Sequence, residues 1–195
     1  MEDQVTFTFI RGDIIELWAP TLEKVNLYAK WINLPMARAY SRVALPKSVN
    51  LLKKILEPKS DEIMRTDIFL EIYHRDDKKS IGIVGLNNID WINRKANISI
   101  IIGESDYWGK GLAIESLKLL FSYAFEDLNL HKLNAIVHTP NERSLRVFEK
   151  LNLSCEATLK DEIYVDGRYY DSKIFSLYKK DWLNRNKEEG ALNAR

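Results

Sequence analysis

The run Trp108-Gly109-Lys110-Gly111-Leu112-Ala113 sets two glycines and a lysine between an isoleucine-rich stretch and an amphipathic one. A tight turn that opens a helix has a chemistry of its own. The first helical turn carries amide N–H groups without partners and a partial positive charge of about half a unit, so a phosphate-bearing ligand can dock there. Gly109 and Gly111 let such a ligand approach the backbone with no Cβ in the way. The spacing fits neither common nucleotide template. A Walker A loop follows its last Gly-Lys with Ser or Thr, whereas Lys110 lies between glycines and Gly111 precedes Leu112. The dinucleotide fingerprint wants a small residue where Ile114 stands, and a loop early in a parallel βαβ unit rather than mid-chain. A plain helix entry with two permissive glycines is the bland alternative. A second stretch, Asn141 through Leu151, begins with an Asn after Pro140, a sound helix N-cap.

The elements that must position these residues follow from periodicity. Residues 96–102 predict a buried strand around Ile98, Ile100, Ile101 and Ile102, and Leu112, Leu117, Leu120 and Phe121 predict a helix to about Asp127. Upstream, residues 5–19 read as two strands about Arg11-Gly12-Asp13. A helix capped by Thr21 follows, with Leu22, Val25, Leu27 and Tyr28 on its apolar face and Pro35 ending it after Trp31 and Ile32. Residues 36–46 read as irregular. Ser48 caps a second helix through Leu51, Leu52, Ile55 and Leu56, stopped by Pro58. Residues 68–74, 80–90 and 96–102 predict an antiparallel meander with polar turns at Asp76-Asp77-Lys78-Lys79 and Ile92-Asn93-Arg94-Lys95. A strand at 132–138, a helix at 141–151 and a hairpin with arms 157–165 and 168–178 about Asp166-Gly167 complete the pattern. From about Asn186 the chain is polar and is expected to fray.

The 195 residues suffice for one domain with a complete core, and residues 1–195 are read as one. An apolar content of 46% excludes wholesale disorder. With 29 basic and 28 acidic side chains the net charge is +1, so no global field favours nucleic acid or an anionic membrane, and neither is expected as a partner. Lys53-Lys54 and Arg38/Arg42 form no basic stripe with interleaved aromatics. Anion binding must therefore be local. The lone Cys155 makes no internal disulfide and reads as packing in an apolar strand entry. Without Cys/His pairs at ligand spacing, no metal is expected. Met1-Glu2-Asp3-Gln4 has neither basic nor apolar leader character and no run reaches membrane-spanning length, so a cytoplasmic location is expected.

Read together, the glycine loop and Asn141-Glu142-Arg143-Ser144-Leu145 resemble the GNAT superfamily of N-acetyltransferases, most closely its ribosomal-protein alanine acetyltransferase type. The early Trp31-Ile32-Asn33 and the terminal hairpin extend the resemblance over about residues 13–183. It implies an α/β (α+β) GNAT fold: a mixed, mostly antiparallel central sheet, splayed at the cofactor site between 96–102 and 132–138, with flanking helices. It implies acetyl-CoA as co-substrate. The family's pyrophosphate loop maps on Trp108, Gly111 and Ala113, with Gly109, Lys110 and Leu112 supplying further main-chain groups. Trp108 replaces the usual polar residue, and since backbone amides do the binding, the absence of that polar side chain is expected to cost little. Ile101, Ile102 and Gly103 would present main-chain groups to the pantetheine arm, and Asn141 would fill the gap between the strands.

The implied reaction moves an acetyl group from a thioester to a primary amine by direct attack. It needs a neutral amine, a polarised carbonyl and a leaving thiolate that is reprotonated. A thiol of pKa about 8.5 leaves readily, so positioning carries much of the rate and an acid or base adds about 10²–10⁴-fold. Where many family members carry a Tyr acid this chain has Phe148. Ser144, one turn earlier, is the candidate acid and a cofactor contact, with helix-start hydrogen bonding as its alternative role. Glu104 and Asp90 are the candidate bases. His138 ends its strand and suits neutral pH, though a structural role competes, and His74 and His131 sit beside turns. Glu162, Tyr164 and Asp171 would shape the amine pocket, or form a plain surface ladder. The acceptor is a protein N-terminus or a small-molecule amine. Arg38 and Arg42 disfavour a polycation and favour an amine that bears carboxylate or phosphate. Two alternatives stay open: a catalytically silent acyl-CoA-binding regulatory module, motivated by Phe148, and a polyamine acetyltransferase. A monomer and a homodimer are both compatible with the chain.

Overall fold

The structure, a computed structural model, describes residues 8–41, 45–57 and 65–193, without the side chains of Arg38, Tyr40, Ser41 and residues 187–193. The strand expected at residues 5–7, Arg42, and the stop at Pro58 lie outside the described residues. Eight strands hydrogen-bond in the order β1-β2-β3-β4-β5-β6-β8-β7. Their bounds are β1 Thr8–Arg11, β2 Ile15–Trp18, β3 Ile68–His74, β4 Lys79–Asp90, β5 Lys95–Ile102, β6 Lys132–His138, β7 Ser154–Val165 and β8 Arg168–Tyr178. The helices are α1 Val25–Ile32, α2 Pro35–Ser41, α3 Val49–Leu56, α4 Leu112–Ser122, α5 Glu142–Lys150 and α6 Lys179–Asn193. By contact the chain divides into two compact units, residues 1–86 with 99–120, and residues 87–98 with 121–195.

In the first unit β1, β2, β3 and β4 pair antiparallel in sequence. Alternation along β2 and β3 turns Ile15, Leu17, Leu70 and Ile72 into the core. The helix α1 lies on the other face, that of Glu71 and its register partner Ile83, where Val25, Tyr28 and Trp31 are buried. Its position is fixed by a buried carboxylate: Glu71, 1% exposed, accepts from Lys24 Nζ at 2.7 Å, Tyr28 Oη at 2.6 Å and Ser80 Oγ at 2.7 Å. A buried charge is tolerated when paired and hydrogen-bonded in this way. Ser48 caps α3 as expected, accepting from the Leu51 amide at 3.2 Å.

In the second unit β5 and β6 pair in parallel over Lys95↔Lys132 to Asn97↔Asn134, while β6 pairs antiparallel with β8 along its whole length. Leu133, Ala135 and Val137 of β6 are buried with Phe175 and Leu177 of β8. The helix α5 lies over that face, Phe148 stacking on Phe175 with ring centroids 5.8 Å apart. Asp166 and Gly167, at φ 49° and 81°, make the tight turn joining β7 to β8. On β7 the ladder shifts between Leu159↔Ser172 and Ile163↔Tyr170, leaving residues 160–162 bulged opposite Asp171. Asp171 holds the bulge by accepting from Lys160 Nζ at 2.7 Å and the Asp161 amide at 3.1 Å.

Four expectations are corrected. Thr21 makes no side-chain cap, since a short 3-10 turn, Leu22–Lys24, precedes α1 and its hydroxyl is buried without a partner among the described residues. Pro35 opens a helix as well as closing one: at a first helical position its missing N–H is no loss, and residues 36–41 of the expected irregular stretch belong to α2. The tail expected to fray from Asn186 stays helical to Asn193. Its start is anchored by buried Trp182, edge-on to Phe121 at 5.5 Å, and by Arg185 donating to the carbonyls of Leu151 and Asn152. Cys155 is exposed rather than packed. Among the described residues no helix is long and apolar enough to cross a membrane, and no group of His, Cys, Asp and Glu could hold a metal ion.

Candidate active site

In the first unit, the last residues of β5 lead through a 3-10 turn, Ser105–Tyr107, into the glycine loop and α4. Gly109 and Gly111 adopt φ 75° and 81°, a left-handed conformation that suits glycine, and a Cβ on either would meet nothing within 4 Å. The loop is exposed while Leu112 just beyond it is buried. The amides of Ile114 and Glu115 turn inward to the Gly111 carbonyl, at 2.9 and 3.2 Å. Among the described residues none accepts from the amides of residues 109–113. Five consecutive amides leading into an eleven-residue helix are thus left without an acceptor among the described residues, as an anion-binding helix start requires.

The loop is braced on three sides. Trp108 Nε1 donates to the Ile102 carbonyl at 2.8 Å, so the indole that stands in place of the family's usual polar side chain ties the loop to the end of β5. Buried Tyr107 donates from its hydroxyl to Asp77 Oδ2 at 2.6 Å, and that carboxylate pushes the phenol pKa up to about 12. Lys110 and Lys79 stand over the same ring, their ammonium nitrogens 5.2 and 5.6 Å from its centroid. In the first turn of α4, Glu115 Oε1 accepts from the amides of Ile14 and Ile15 at 2.8 and 3.2 Å and pins the β1–β2 turn to the helix.

The three expected pantetheine contacts separate. The amide of Gly103 donates to Ile81 at 2.9 Å, and the Ile101 carbonyl lies against Gly82, where a Cβ would come within 2.2 Å of it, so both main chains are turned toward β4. Strand alternation then turns the main chain of Ile102, and of Ile100, the other way. Gly103 is glycine for a second reason: a Cβ there would sit 2.1 Å from the Trp31 ring.

Both candidate bases are held in hydrogen bonds. Glu104 accepts from Trp31 Nε1 at 2.9 Å, Lys79 Nζ at 3.0 Å and Lys30 Nζ at 3.1 Å. The Trp31 bond first, then Lys79, lower its pKa to about 2, far below that of a useful base near neutrality. Asp90 accepts from the amide and the side chain of Asn93, at 2.8 and 2.7 Å, which lowers its pKa and closes the turn into the start of β5, whereas the glycine loop follows that strand's end. Both carboxylates tie neighbouring segments together in this structure.

In the second unit, Asn141 caps α5, its Oδ1 accepting from the Ser144 amide at 3.1 Å, and its own amide donates to the His138 carbonyl at 2.9 Å. Ser144 is half-buried and lies one helical turn before Phe148, which is 3% exposed. His138 Nδ1 is 2.7 Å from Ser172 Oγ. Asp171 is engaged with Lys160, Tyr164 is exposed beside Tyr169, and Glu162 lies in the bulge. Of the braces of the loop, Asp77, Tyr107 and Glu115 were missed in the sequence because each acts across distant positions and only Tyr107 adjoins the motif.

The family model for the acetyltransferase (GNAT) domain matches residues 15–154, a span that includes the loop, Asn141 and Ser144. The chain belongs to the GNAT acetyltransferase family. The uncharacterized N-acetyltransferase p20 of Bacillus licheniformis is 34% identical over 168 residues, covering 83% of this chain and 90% of that protein. The spermidine N(1)-acetyltransferase of Escherichia coli is 35% identical over 114 residues, 58% of this chain. The match spans 61% of that relative's length. The crystal structure of spermidine N-acetyltransferase from Vibrio cholerae in complex with CoA and spermine shares the fold, with a TM-score of 0.79 at 24% identity over 88% of this chain and 99% of that one.

Proposed function

We propose that this GNAT protein transfers the acetyl group of acetyl-CoA to a primary amine. The observation that carries the reading is the open row of amides at residues 109–113, preceding α4 in a chain whose family is that of acetyltransferases. These donors and the α4 N-terminus would hold the diphosphate, with Lys110 beside them. The main chain of Ile100 and the amide of Ile102 would meet the pantetheine arm, while the Ile102 carbonyl holds Trp108 and Ile101 and Gly103 serve the β4–β5 junction. Asn141 and Ser144 would meet the thioester end, Ser144 offering a hydroxyl to the departing sulfur. Phe148 provides no proton, so the thiolate leaves largely on its own acidity, which a thiol allows.

For the acceptor we propose a small-molecule amine, with polyamines first in the panel because of the spermidine acetyltransferase relatives. The arginines that disfavoured a polycation are Arg42, outside the described residues, and Arg38, whose side chain is not described. The exposed thiol of Cys155 suits a reducing cytoplasm. The test is acetyl-CoA binding by calorimetry together with CoA thiol release across spermidine, amino-acid amides and an N-terminal peptide. Amine-dependent release is expected. Tight binding with no release for any amine would favour the silent acyl-CoA-binding module, to which buried Phe148 lends support. Ser144→Ala is expected to lower kcat while leaving acetyl-CoA affinity within about twofold, and unchanged turnover would end its role as acid.

A further inference from the structure

Resting on the acetyl-transfer reading, we propose that Tyr107 is a positioning residue of the cofactor site: its ring holds the ammonium of Lys110 in place for the diphosphate of acetyl-CoA. Within residues 108–113 Lys110 is the only charged side chain. It is exposed, and among the described residues its Nζ makes no ion pair or hydrogen bond. What it meets is the Tyr107 ring, whose centroid is 5.2 Å away. A cation over the face of a tyrosine is drawn to the ring's quadrupole. Lys79 stands over the same ring at 5.6 Å, but its charge is closed by Glu104 Oε2 at 3.0 Å. Of the two ammonium groups, that of Lys110 is the one left for a ligand.

The ring is itself immobilised. Tyr107 is buried, its amide donates to the Glu104 carbonyl at 3.1 Å and its hydroxyl to Asp77 Oδ2 at 2.6 Å. Asp77 is fixed at the β3–β4 turn, where its amide donates to His74 Nδ1 at 3.2 Å, and the His74 ring lies 5.2 Å from that of Tyr107. Donation to an anion makes the phenol ring richer in electrons and a better seat for a cation. The Asp77 charge attracts Lys110 as well, from beyond ion-pair distance.

Reach follows from chain length. A lysine side chain is shorter than the Debye length of about 8 Å in physiological salt, so an ammonium on residue 110 acts on any anion seated at the amides of residues 109–113. Holding it over the ring beforehand spares the ligand the entropy of ordering a long side chain. The amides thus supply direction for the diphosphate oxygens, and Lys110 supplies charge.

Calorimetric titration of acetyl-CoA into the full chain, at low and at high salt, tests the assignment. Lys110→Met, a change at an exposed position, is expected to weaken binding by about tenfold at low salt and to flatten the salt dependence. Tyr107→Leu removes the ring and is expected to weaken binding by about 2–5-fold, the worth of an exposed cation–π contact. Tyr107→Phe keeps the ring and should weaken it less. Positioning shows as coupling: added to K110M, Tyr107→Leu should cost nothing further. Proton–carbon NMR of the unaltered protein is expected to place the Lys110 ε-methylene, identified by its loss in K110M, upfield of other lysines through the ring current. Additive losses, tighter binding in Tyr107→Leu, or a Lys110 signal without the upfield displacement would each overturn the role of Tyr107. K110M with unaltered affinity and salt dependence would remove Lys110 from the site. Acetyl-CoA binding without amine-dependent thiol release would end the acetyl-transfer reading and leave these two residues as assigned, whereas no binding by the unaltered protein would end both.

Discussion

At the scale of single residues, the loop carries its function in its main chain and its order in its side chains. Gly111→Asp would place a carboxylate and a Cβ among five amides left without an acceptor, and at φ 81° an L-residue is strained as well. Acetyl-CoA affinity is expected to fall by more than about a hundredfold while the far-UV circular dichroism is preserved; an unchanged calorimetric Kd would take the loop out of the site. Trp108→Phe keeps a ring but deletes the Nε1 bond to Ile102. A neutral hydrogen bond contributes about 0.5–1.5 kcal/mol net, so acetyl-CoA binding is expected to weaken by about 2–10-fold. The glycines were legible in the sequence because left-handed turns leave a compositional mark. The Trp108 bond was not, because nothing in residue type says that an indole will reach back six positions to a carbonyl. Glu104 read as a base for the same reason: its partners, Lys30, Trp31 and Lys79, are remote in sequence.

Among elements, strands β3, β6 and β8 were read to their ends, since β-branched runs bounded by polar turns determine both type and limits. The helices depended more on tertiary support. Pro35 looked like a stop because it follows an apolar stripe, yet proline is equally at home in a first turn, and α2 begins on it. The polar sequence after Asn186 has no apolar stripe to announce a helix, and α6 forms because Trp182 and Arg185 anchor its first turns. Trp182→Ala should therefore cost about 3–5 kcal/mol, a large aromatic lost from a packed site, and loosen α6 ahead of the sheet. Chemical unfolding with amide exchange resolved along residues 179–193 would measure both, and uniform protection across the helix would argue that its anchor lies elsewhere.

For the whole molecule, the balanced charge leaves stability governed by a few carboxylates in fixed partnerships. Glu104 is lowered to about 2, by Trp31 first, and Glu156 to about 2, by Lys132 first and then Ser176 and Tyr178. An unfolded glutamate protonates near 4.5. Between those values the unfolded chain binds more protons than the folded one, so the stabilisation is complete above about pH 4.5 and lost as pH falls toward 2. Urea midpoints measured from pH 6 to 2 are expected to drop across that window, and Glu104→Gln with Glu156→Gln should start lower and drop less. A parallel decline in variant and parent would assign the acid sensitivity to other groups. The sheet as a whole ends at β7, whose ladder is broken at residues 160–162 by a bulge clamped on Asp171. A strand of a neighbouring molecule trying to lengthen the sheet would find its row of donors out of step and two fixed charges in its path, so this margin resists templated growth into fibrils even in concentrated solution.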